Sequence, residues 1–251
     1  MGISMDVKLD FTAEERKILL EEMQILEHNI SIFDWGLRGF RTYASAVFTL
    51  PLTNFMQTIG YNKKKLVDLN KSDKVILNIG CRDDTNNDYI NAELFPSLGE
   101  MWRILRGKRR IEYDLFLNIC YEDKNLLEVA DGIILSHVLE HIPLNLALVA
   151  LKNCFKYLKK NGCIRICVPY LGRYQQPLNT SYEKAKNMLA VNTIIYCYGH
   201  KVMYNVELLK LLMAEVGFSQ IEEVNFQEGL LGMSDLPERQ PESIYLTGIK
   251  I

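Results

Sequence analysis

Residues 75–81 read VILNIGC, and this stretch decides the fold. Residues 75–79 form a nearly continuous apolar run, as expected of a strand that is buried on both faces of a parallel sheet. The run leads directly into Gly80 and Cys81. A strand that ends in glycine lets a ligand approach the backbone at the carboxyl edge of such a sheet. A tight strand-to-helix turn without a ligand explains a single glycine equally well.

The sequence that surrounds this run alternates, from Ser72 onward, between short β-branched runs and helical patterns. That alternation is typical of βαβ units in a parallel sheet. Further strands are predicted at 89–92, 111–113, 132–136, 164–168, 220–225 and 243–250. The sequence therefore predicts an α/β domain.

Two helices of this domain are indicated by their ends. Apolar residues at helical spacing predict a helix over 144–158, which we expect to stop at the Asn-Gly pair 161–162, where glycine supplies a left-handed cap. Asn205 is a good N-cap for a second helix over 208–216, and Gly217 is expected to end it.

The first seventy residues have a different pattern. Thr12 and Glu15 form a capping-box sequence, which predicts a helix over 12–28. The aromatic and apolar segment 30–61 predicts further helices that pack on the main domain or form the surface of a homodimer. The predicted division is a helical extension at 1–72 and a ligand-binding domain at 73–251.

Composition excludes several classes of protein. A net charge of −2 over 251 residues argues against a surface that attracts nucleic acid as a whole. The six cysteines contain no C-x-x-C pair and are expected to be reduced thiols. The N-terminus resembles no secretory signal and segment 43–56 is too short to span a bilayer, so a cytoplasmic protein is predicted.

Several segments taken together resemble the class I S-adenosylmethionine-dependent methyltransferases. They are VILNIGC (75–81), YINAELFP (89–96), YDLFLNI (113–119), ADGIILSHVLEHIP (130–143), LKKNGCIRICVP (158–169) and HKVMYNVELLKLLMAEVGF (200–218). The similarity runs from Lys74 to the C-terminus and is greatest to compact bacterial enzymes associated with cell-surface polysaccharide biosynthesis. It implies a Rossmann-like sheet, mostly parallel with an antiparallel last strand, and S-adenosylmethionine as the cofactor.

The resemblance also implies roles for individual residues. Glu93 would accept both ribose hydroxyls, although a surface glutamate at a strand end is the alternative. Asp114 and Leu115 would follow the third strand and contact the adenine, unless Asp114 merely caps a turn. The methionine portion and the remaining wall of the cofactor site are assigned to Ser136, His137, Asn78, Gly80, Cys81 and Arg82.

The chain departs from the family pattern after the first strand. Family members continue Gly-Cys-Gly, whereas this chain has Gly80-Cys81-Arg82. Arg82 would lie beside a cationic sulfonium unless it turns outward or pairs with Asp83, Asp84 or the cofactor's carboxylate. Tyr170 stands where an aspartate is often found.

Three of the four histidines fall in segments that the resemblance places at the rim of the active site. A histidine accepts a proton near neutral pH, so His141 and His200, followed by His137, are the candidates for a general base. The alternative is structural, because residues 137 and 141 would share one helical face that Glu140 braces.

A metal site at the same place is an alternative that we do not adopt from the sequence. Some relatives have an E-x-x-E-H stretch that holds a divalent ion. This chain has His137-x-x-Glu140-His141, to which His200 could add a nitrogen. The first acidic ligand is replaced and bracing is commoner, so no metal is predicted.

The predicted activity is O-methylation of a sugar or another small polar acceptor. A basic cluster could bind the phosphate of a nucleotide-linked sugar or be a solvated helix face; it comprises Arg103, Arg106, Lys108, Arg109 and Arg110. Tyrosines after the fifth strand could stack on the acceptor or pack in the core; they are Tyr170, Tyr174, Tyr182, Tyr196 and Tyr198. The alternatives are a non-catalytic scaffold subunit of the same fold and a dehydrogenase, which the missing G-x-G-x-x-G disfavours.

Overall fold

The apolar run at 75–79 forms a central strand in the computed structural model, which describes residues 11–34, 37–68, 74–82, 84–108 and 110–251. The sheet has seven strands in the order β3-β2-β1-β4-β5-β7-β6. Their bounds are β1 Ile76–Ile79, β2 Ile90–Glu93, β3 Leu115–Phe116, β4 Ala130–Ser136, β5 Leu158–Pro169, β6 Ser219–Val224 and β7 Ser243–Ile249. β1 to β5 are parallel, and β7 enters antiparallel between β5 and β6. The predicted fold class, an α/β sheet that is mostly parallel with an antiparallel last strand, is confirmed.

Seven α-helices accompany the sheet in the described residues. They are α1 Ala13–Asp34, α2 Leu37–Thr58, α3 Tyr61–Asp68, α4 Leu98–Leu105, α5 Leu144–Tyr157, α6 Ser181–Tyr196 and α7 Val206–Val216. The capping box predicted at the start of α1 is present: Thr12 N donates to Glu15 Oε2 and Glu15 N donates to Thr12 Oγ1. Gly217 ends α7 at φ 110°, as predicted.

The predicted end of the helix over 144–158 is wrong. α5 stops at Tyr157 and the chain passes at once into β5, because Leu158 already pairs with Ala130 of β4. Asn161, not Gly162, has the left-handed conformation. Gly162 is needed for a different reason, since a Cβ there would lie 2.9 Å from the Lys159 carbonyl oxygen.

The third strand was predicted at 111–113 and lies instead at Leu115–Phe116. Ile111 and Glu112 are exposed, whereas both residues of β3 are buried. Asp114 fixes the start of the strand, because its N–H donates to Asn91 O (2.8 Å) and its Oδ2 accepts from Asn91 N (3.1 Å).

Side-chain amides from the N-terminal helices cover the outer edge of β3. Asn62 of α3 donates to the Phe116 carbonyl oxygen (2.8 Å) and accepts from the Phe116 N–H (3.2 Å). Gln57 of α2 accepts from the N–H of Asn118 (2.9 Å) and donates to Tyr121 O (3.0 Å). These amides take the place of the peptide groups of an eighth strand.

Helix α1 packs against α6 and α2. Apolar side chains of the N-terminal helices that remain exposed include Met23, Val47 and Phe55. A homodimer through these helices and the division at 72/73 stay predictions. Among the described helices, none is long and apolar enough to cross a membrane. All six cysteines are free.

Candidate functional site

The carboxyl ends of the parallel strands form a row across the sheet. Ile79 is level with Ala92 of β2 and Leu135 of β4, so the next residues along, Gly80, Glu93 and Ser136, lie at the same edge. Strand order reverses its direction between β1 and β4, which is the topological switch point where open α/β sheets bind ligands.

Gly80 is required at the end of β1 for two reasons. Its φ of +71° is in the left-handed region, and a Cβ there would lie 2.5 Å from Cγ2 of Val138. Its N–H donates to Ala92 O at 2.8 Å. The side of Gly80 that has no Cβ is therefore covered by Val138 and not left open to a ligand, which favours the interpretation of this glycine as part of a tight turn.

Arg82 is exposed and also left-handed, with φ 44°. A non-glycine residue in this conformation costs about 1–2 kcal/mol. The Arg82 N–H donates to Oε2 of Glu93 at 3.0 Å. The preceding Cys81 is buried, and burial together with the Glu93 carboxylate raises the pKa of its thiol to about 12, so the thiol stays protonated. Asp83, a predicted partner of Arg82, lies outside the described residues.

Glu93 joins the ends of β1 and β2. Its Oε2 accepts from Arg82 N and its Oε1 accepts from Leu94 N at 2.8 Å. Burial raises the pKa of this carboxyl, and the two backbone N–H groups partly oppose that effect. A carboxylate oxygen has more than one acceptor position, so Glu93 keeps acceptor capacity for a bound ligand.

Asn78 is occupied with the loop that connects β1 to β2. Its Nδ2 donates to Asp84 O (2.9 Å) and to Oδ1 of Asn91 (3.1 Å). Asn91 in turn accepts from Asn86 N (3.0 Å) and donates to Asn86 O (2.9 Å). Sequence reasoning missed Asn86 and Asn91, although the polar run 83–88 was a signal. Asn78 orders this loop and thereby shapes the wall of the edge.

Asp114 and Leu115 lie elsewhere than predicted. Because β3 begins at Leu115, Asp114 precedes the strand and is level with Asn91, on the amino side of the edge. Leu115 is 0% exposed and belongs to the hydrophobic core. Asn118 follows β3 on the carboxyl side, where its Nδ2 donates to Asn54 Oδ1 at 2.9 Å. The adenine contact assigned to Asp114 and Leu115 stays a prediction.

Beyond β4, His137 begins a second group of polar residues. It is left-handed at φ 54°, and its Nε2 lies 2.8 Å from Ser243 Oγ. Its Nδ1 lies 3.3 Å from Oε1 of Glu140. Burial alone would lower the pKa of His137, but the side chains of Cys167 and Glu140 outweigh burial and raise it to about 9. His137 is therefore protonated at neutral pH.

His141 and His200 complete this group with Glu140. Nε2 of His141 lies 3.9 Å from Glu140 Oε1, and the rings of His141 and His200 pack edge to face at 4.8 Å. Burial lowers the pKa of both histidines, opposed in part by Glu140, so both rings are neutral at pH 7. We call Glu140, His141 and His200 with the neighbouring His137 the histidine cluster.

The backbone explains how these residues meet. Leu139–His141 is a 3₁₀ turn, and α5 begins only at Leu144, so the shared helical face predicted for 137 and 141 is wrong. The main-chain oxygen of Glu140 accepts from Lys201 N (2.6 Å) and Val202 N (3.2 Å), which brings His200 beside the turn.

A cavity of about 590 Å³ lies between the start of β7 and the end of β6. Its lining includes Arg173, Phe226, Glu228, Ile244 and Tyr245. Ser243, the partner of His137, directly precedes Ile244 in the chain.

The predicted basic cluster is exposed wherever it is described, and Arg106 stacks on Trp102 with 3.5 Å to the ring centroid. Arg109 lies outside the described residues. Of the five tyrosines after β5, Tyr196 and Tyr198 are exposed. Tyr198 also contacts the His200 ring, with 5.7 Å between the centroids. The assignment of the basic cluster to acceptor binding stays a prediction, as does that of the five tyrosines.

No protein-family model and no curated protein matches the chain. Solved structures of similar shape include a SAM-dependent methyltransferase from Archaeoglobus fulgidus (TM-score 0.44, 16% identity, 79% of this chain and 94% of that one). Another is a SAM-dependent methyltransferase from Thermotoga maritima (0.43, 18%, 89% and 100%). A third is phosphoethanolamine N-methyltransferase 2 of Haemonchus contortus in complex with S-adenosyl-L-methionine (0.41, 13%, 88% and 60%). The strand order of the sheet, with its reversed β7, is itself that of the class I methyltransferase fold.

Proposed function

We propose that this protein is an S-adenosylmethionine-dependent methyltransferase. The observation that carries the proposal is the convergence of Gly80, Glu93 and Ser136 at the switch point of a β3-β2-β1-β4-β5-β7-β6 sheet. A ligand that binds outside the carboxyl ends of β1 and β4 would meet these three residues first. Glu93 offers the acceptor that a ribose requires.

The residues present fit this cofactor in part. Glu93 retains acceptor capacity beyond its two backbone bonds. Ser136 and His137, with the backbone at Cys81 and Arg82, are proposed to hold the methionine portion. Asn78 would act indirectly through the 84–91 loop. The positive guanidinium of Arg82 would repel the positive sulfonium of the cofactor, so we expect the Arg82 side chain to turn toward solvent.

The proposed acceptor is the oxygen of a sugar or another small polar molecule. S-adenosylmethionine supplies an electrophilic methyl group, and a hydroxyl acceptor must lose its proton as it attacks. His141 and His200 are the proposed proton acceptors because both are neutral. His137 is less suitable because it is already protonated. The cavity beside Tyr245 is the proposed acceptor site, and the association with cell-surface polysaccharides rests on the sequence resemblance.

Titration calorimetry with S-adenosylmethionine and S-adenosylhomocysteine tests the proposal. We expect saturable binding of both ligands, and Glu93→Ala is expected to weaken it by about 1–3 kcal/mol, the effect of leaving buried hydroxyls without an acceptor. Glu222→Ala, an exposed glutamate on β6, is the matched control and should leave affinity unchanged. Equal affinity in the wild type and Glu93→Ala would remove Glu93 from the ribose role.

Arg82 gives a second prediction at the same site. Arg82→Gly removes a like charge from the sulfonium and suits the left-handed backbone, so S-adenosylmethionine should bind about two- to five-fold more tightly, the scale of an exposed charge interaction. Arg82→Lys keeps the charge and should bind as the wild type does. Weaker binding of Arg82→Gly would mean that the guanidinium contacts the cofactor's carboxylate.

A non-catalytic member of this fold is the second candidate, and two observations favour it. Val138 packs on the bare face of Gly80, and Arg82 stands where a glycine would be relaxed. If a folded sample gives no heat with millimolar S-adenosylmethionine or S-adenosylhomocysteine, the scaffold function is supported instead.

A further inference from the structure

The histidine cluster contains polar atoms that the protein itself does not satisfy. Glu140 is 0% exposed, and its nearest cation is His137, whose Nδ1 lies 3.3 Å from Oε1; neither carboxylate oxygen accepts a hydrogen bond of normal geometry from a described residue. Nδ1 of His200 is likewise buried without a hydrogen-bond partner in the described chain. An unsatisfied buried polar group costs about 1–3 kcal/mol, and more when it is charged. The ion pair with His137 compensates Oε1 in part, which leaves Glu140 Oε2 and His200 Nδ1 without a partner in the described chain, and such buried atoms are suited to a bound ion.

The geometry of the cluster indicates what kind of ligand is missing. One ligand atom each from Glu140, His141 and His200 lie within 4.8 Å of one another. Two atoms bound to one tetrahedral ion at about 2.0–2.2 Å lie about 3.3–3.6 Å apart, so side-chain rotations that shorten the longest separation by about 1 Å would bring all three into range. The backbone is already fixed, since Glu140 O holds Lys201 and Val202 beside the turn.

The hydrogen bonding of His141 suits metal binding. Nδ1 of His141 lies 3.4 Å from Gly199 O, which favours a proton on Nδ1 and leaves the lone pair on Nε2, the nitrogen that faces Glu140. Metal-bound histidines commonly donate their other ring N–H to a carbonyl in this way.

We propose that Glu140, His141 and His200 bind a divalent transition metal ion such as zinc. Two imidazoles and one carboxylate are ligands for zinc, iron or manganese rather than for magnesium or calcium, which take oxygen ligands. His141 is 43% exposed at its side chain, so the ion has access from solvent and keeps an open coordination position. His137 is a positioning residue that lies beside Glu140 and is held by Ser243.

This site does not depend on methyl transfer, but it competes with the proposed base. A nitrogen of His141 that is bound to metal has no lone pair left to accept a proton. Calorimetry with S-adenosylmethionine and metal titration are separate measurements, so one proposal can fail while the other stands.

The test is titration of the full-length, chelator-treated protein with Co²⁺ followed by displacement with Zn²⁺. We expect one ion per chain, with visible ligand-field bands and no thiolate charge-transfer band. His141→Ala and His200→Ala should each weaken binding by at least about 100-fold, since even residues that only position a ligand account for about 10- to 100-fold. His28→Ala is the matched control, because His28 is an exposed histidine on α1, and it should bind as the wild type does.

The variant Glu140→Gln and thermal melting curves distinguish a loss of metal binding from a loss of folding. Zn²⁺ should raise the melting temperature of the wild type and of His28→Ala, and Mg²⁺ should not. His141→Ala should melt normally without metal and gain nothing from Zn²⁺. Wild-type binding that survives in His141→Ala and His200→Ala, a thiolate band, or no binding at all by the wild type would each overturn the proposal.

Discussion

Asp235→Ala is expected to lower the free energy of unfolding by about 3–5 kcal/mol, the scale of removing one partner from a buried ion pair. The side chains of Arg165 and Asp235 are 1% and 3% exposed. Nε of Arg165 donates to Asp235 Oδ1 at 2.6 Å, and a second guanidinium nitrogen donates to Oδ2. Without the carboxylate, a buried cation on β5 would keep only carbonyl acceptors. Urea unfolding measures the loss.

Glu122→Ala is the matched control for this prediction. Glu122 pairs with Lys156 at the surface, where the side chains are 32% and 51% exposed, so its loss should be at most about 1 kcal/mol. The double variant Arg165→Met with Asp235→Leu should recover much of the stability, because it leaves no buried charge unpaired. If Asp235→Ala and Glu122→Ala unfold at the same urea concentration, the buried pair does not stabilise the fold as we infer.

Asp235 also matters for the cavity. Arg165 donates to the main-chain oxygens of Asn225, Glu228 and Leu230, so the pair anchors the segment after β6 that lines the cavity. Loss of stability in Asp235→Ala should therefore be accompanied by faster hydrogen exchange in residues 225–235.

Gly80→Ala is expected to destabilise the protein by about 2–4 kcal/mol, from a left-handed alanine and from overpacking. The new methyl group would lie 2.5 Å from Val138 Cγ2, and the short branched side chain of valine, here directly before a 3₁₀ turn, has no flexible end that can move away. Thermal unfolding of the purified variant measures the effect.

Gly107→Ala separates the two contributions. Gly107 has nearly the same φ, +67°, but a Cβ there meets no atom of the described chain within 4 Å. Its substitution should therefore cost only the backbone strain, about 1–2 kcal/mol. Adding Val138→Ala to Gly80→Ala should restore the steric part, as a favourable coupling in a double-mutant cycle. Equal losses of stability for Gly80→Ala and Gly107→Ala would show that Val138 moves aside at no measurable cost.

Local signals predicted most of the sheet. The apolar run at 75–79 and the left-handed cap at Gly217 depend on residues close in the chain, and both are present. β3 was misplaced because its start is set by a pairing between Asp114 and Asn91, which are 23 residues apart. The end of α5 was misplaced because the pairing of Leu158 with β4 overrides the local glycine signal.

The position of a residue at the sheet edge was predicted only where that residue lies at the carboxyl end of a strand. Gly80, Glu93 and Ser136 could be aligned from strand ends alone. The histidine cluster could not, because a 3₁₀ turn replaces the expected helix and a backbone bond from Lys201 brings in His200. The unsatisfied carboxylate of Glu140 is likewise visible only when its surroundings are folded.

The amide side chains of Gln57 and Asn62 have a further consequence. They occupy donors and acceptors at Phe116 and Asn118 that would otherwise face outward. An open row of such groups is a template on which a foreign polypeptide can add itself by backbone pairing, and exposed edges of this kind promote aggregation. The first helices therefore protect the sheet against unwanted self-association, whatever else they do.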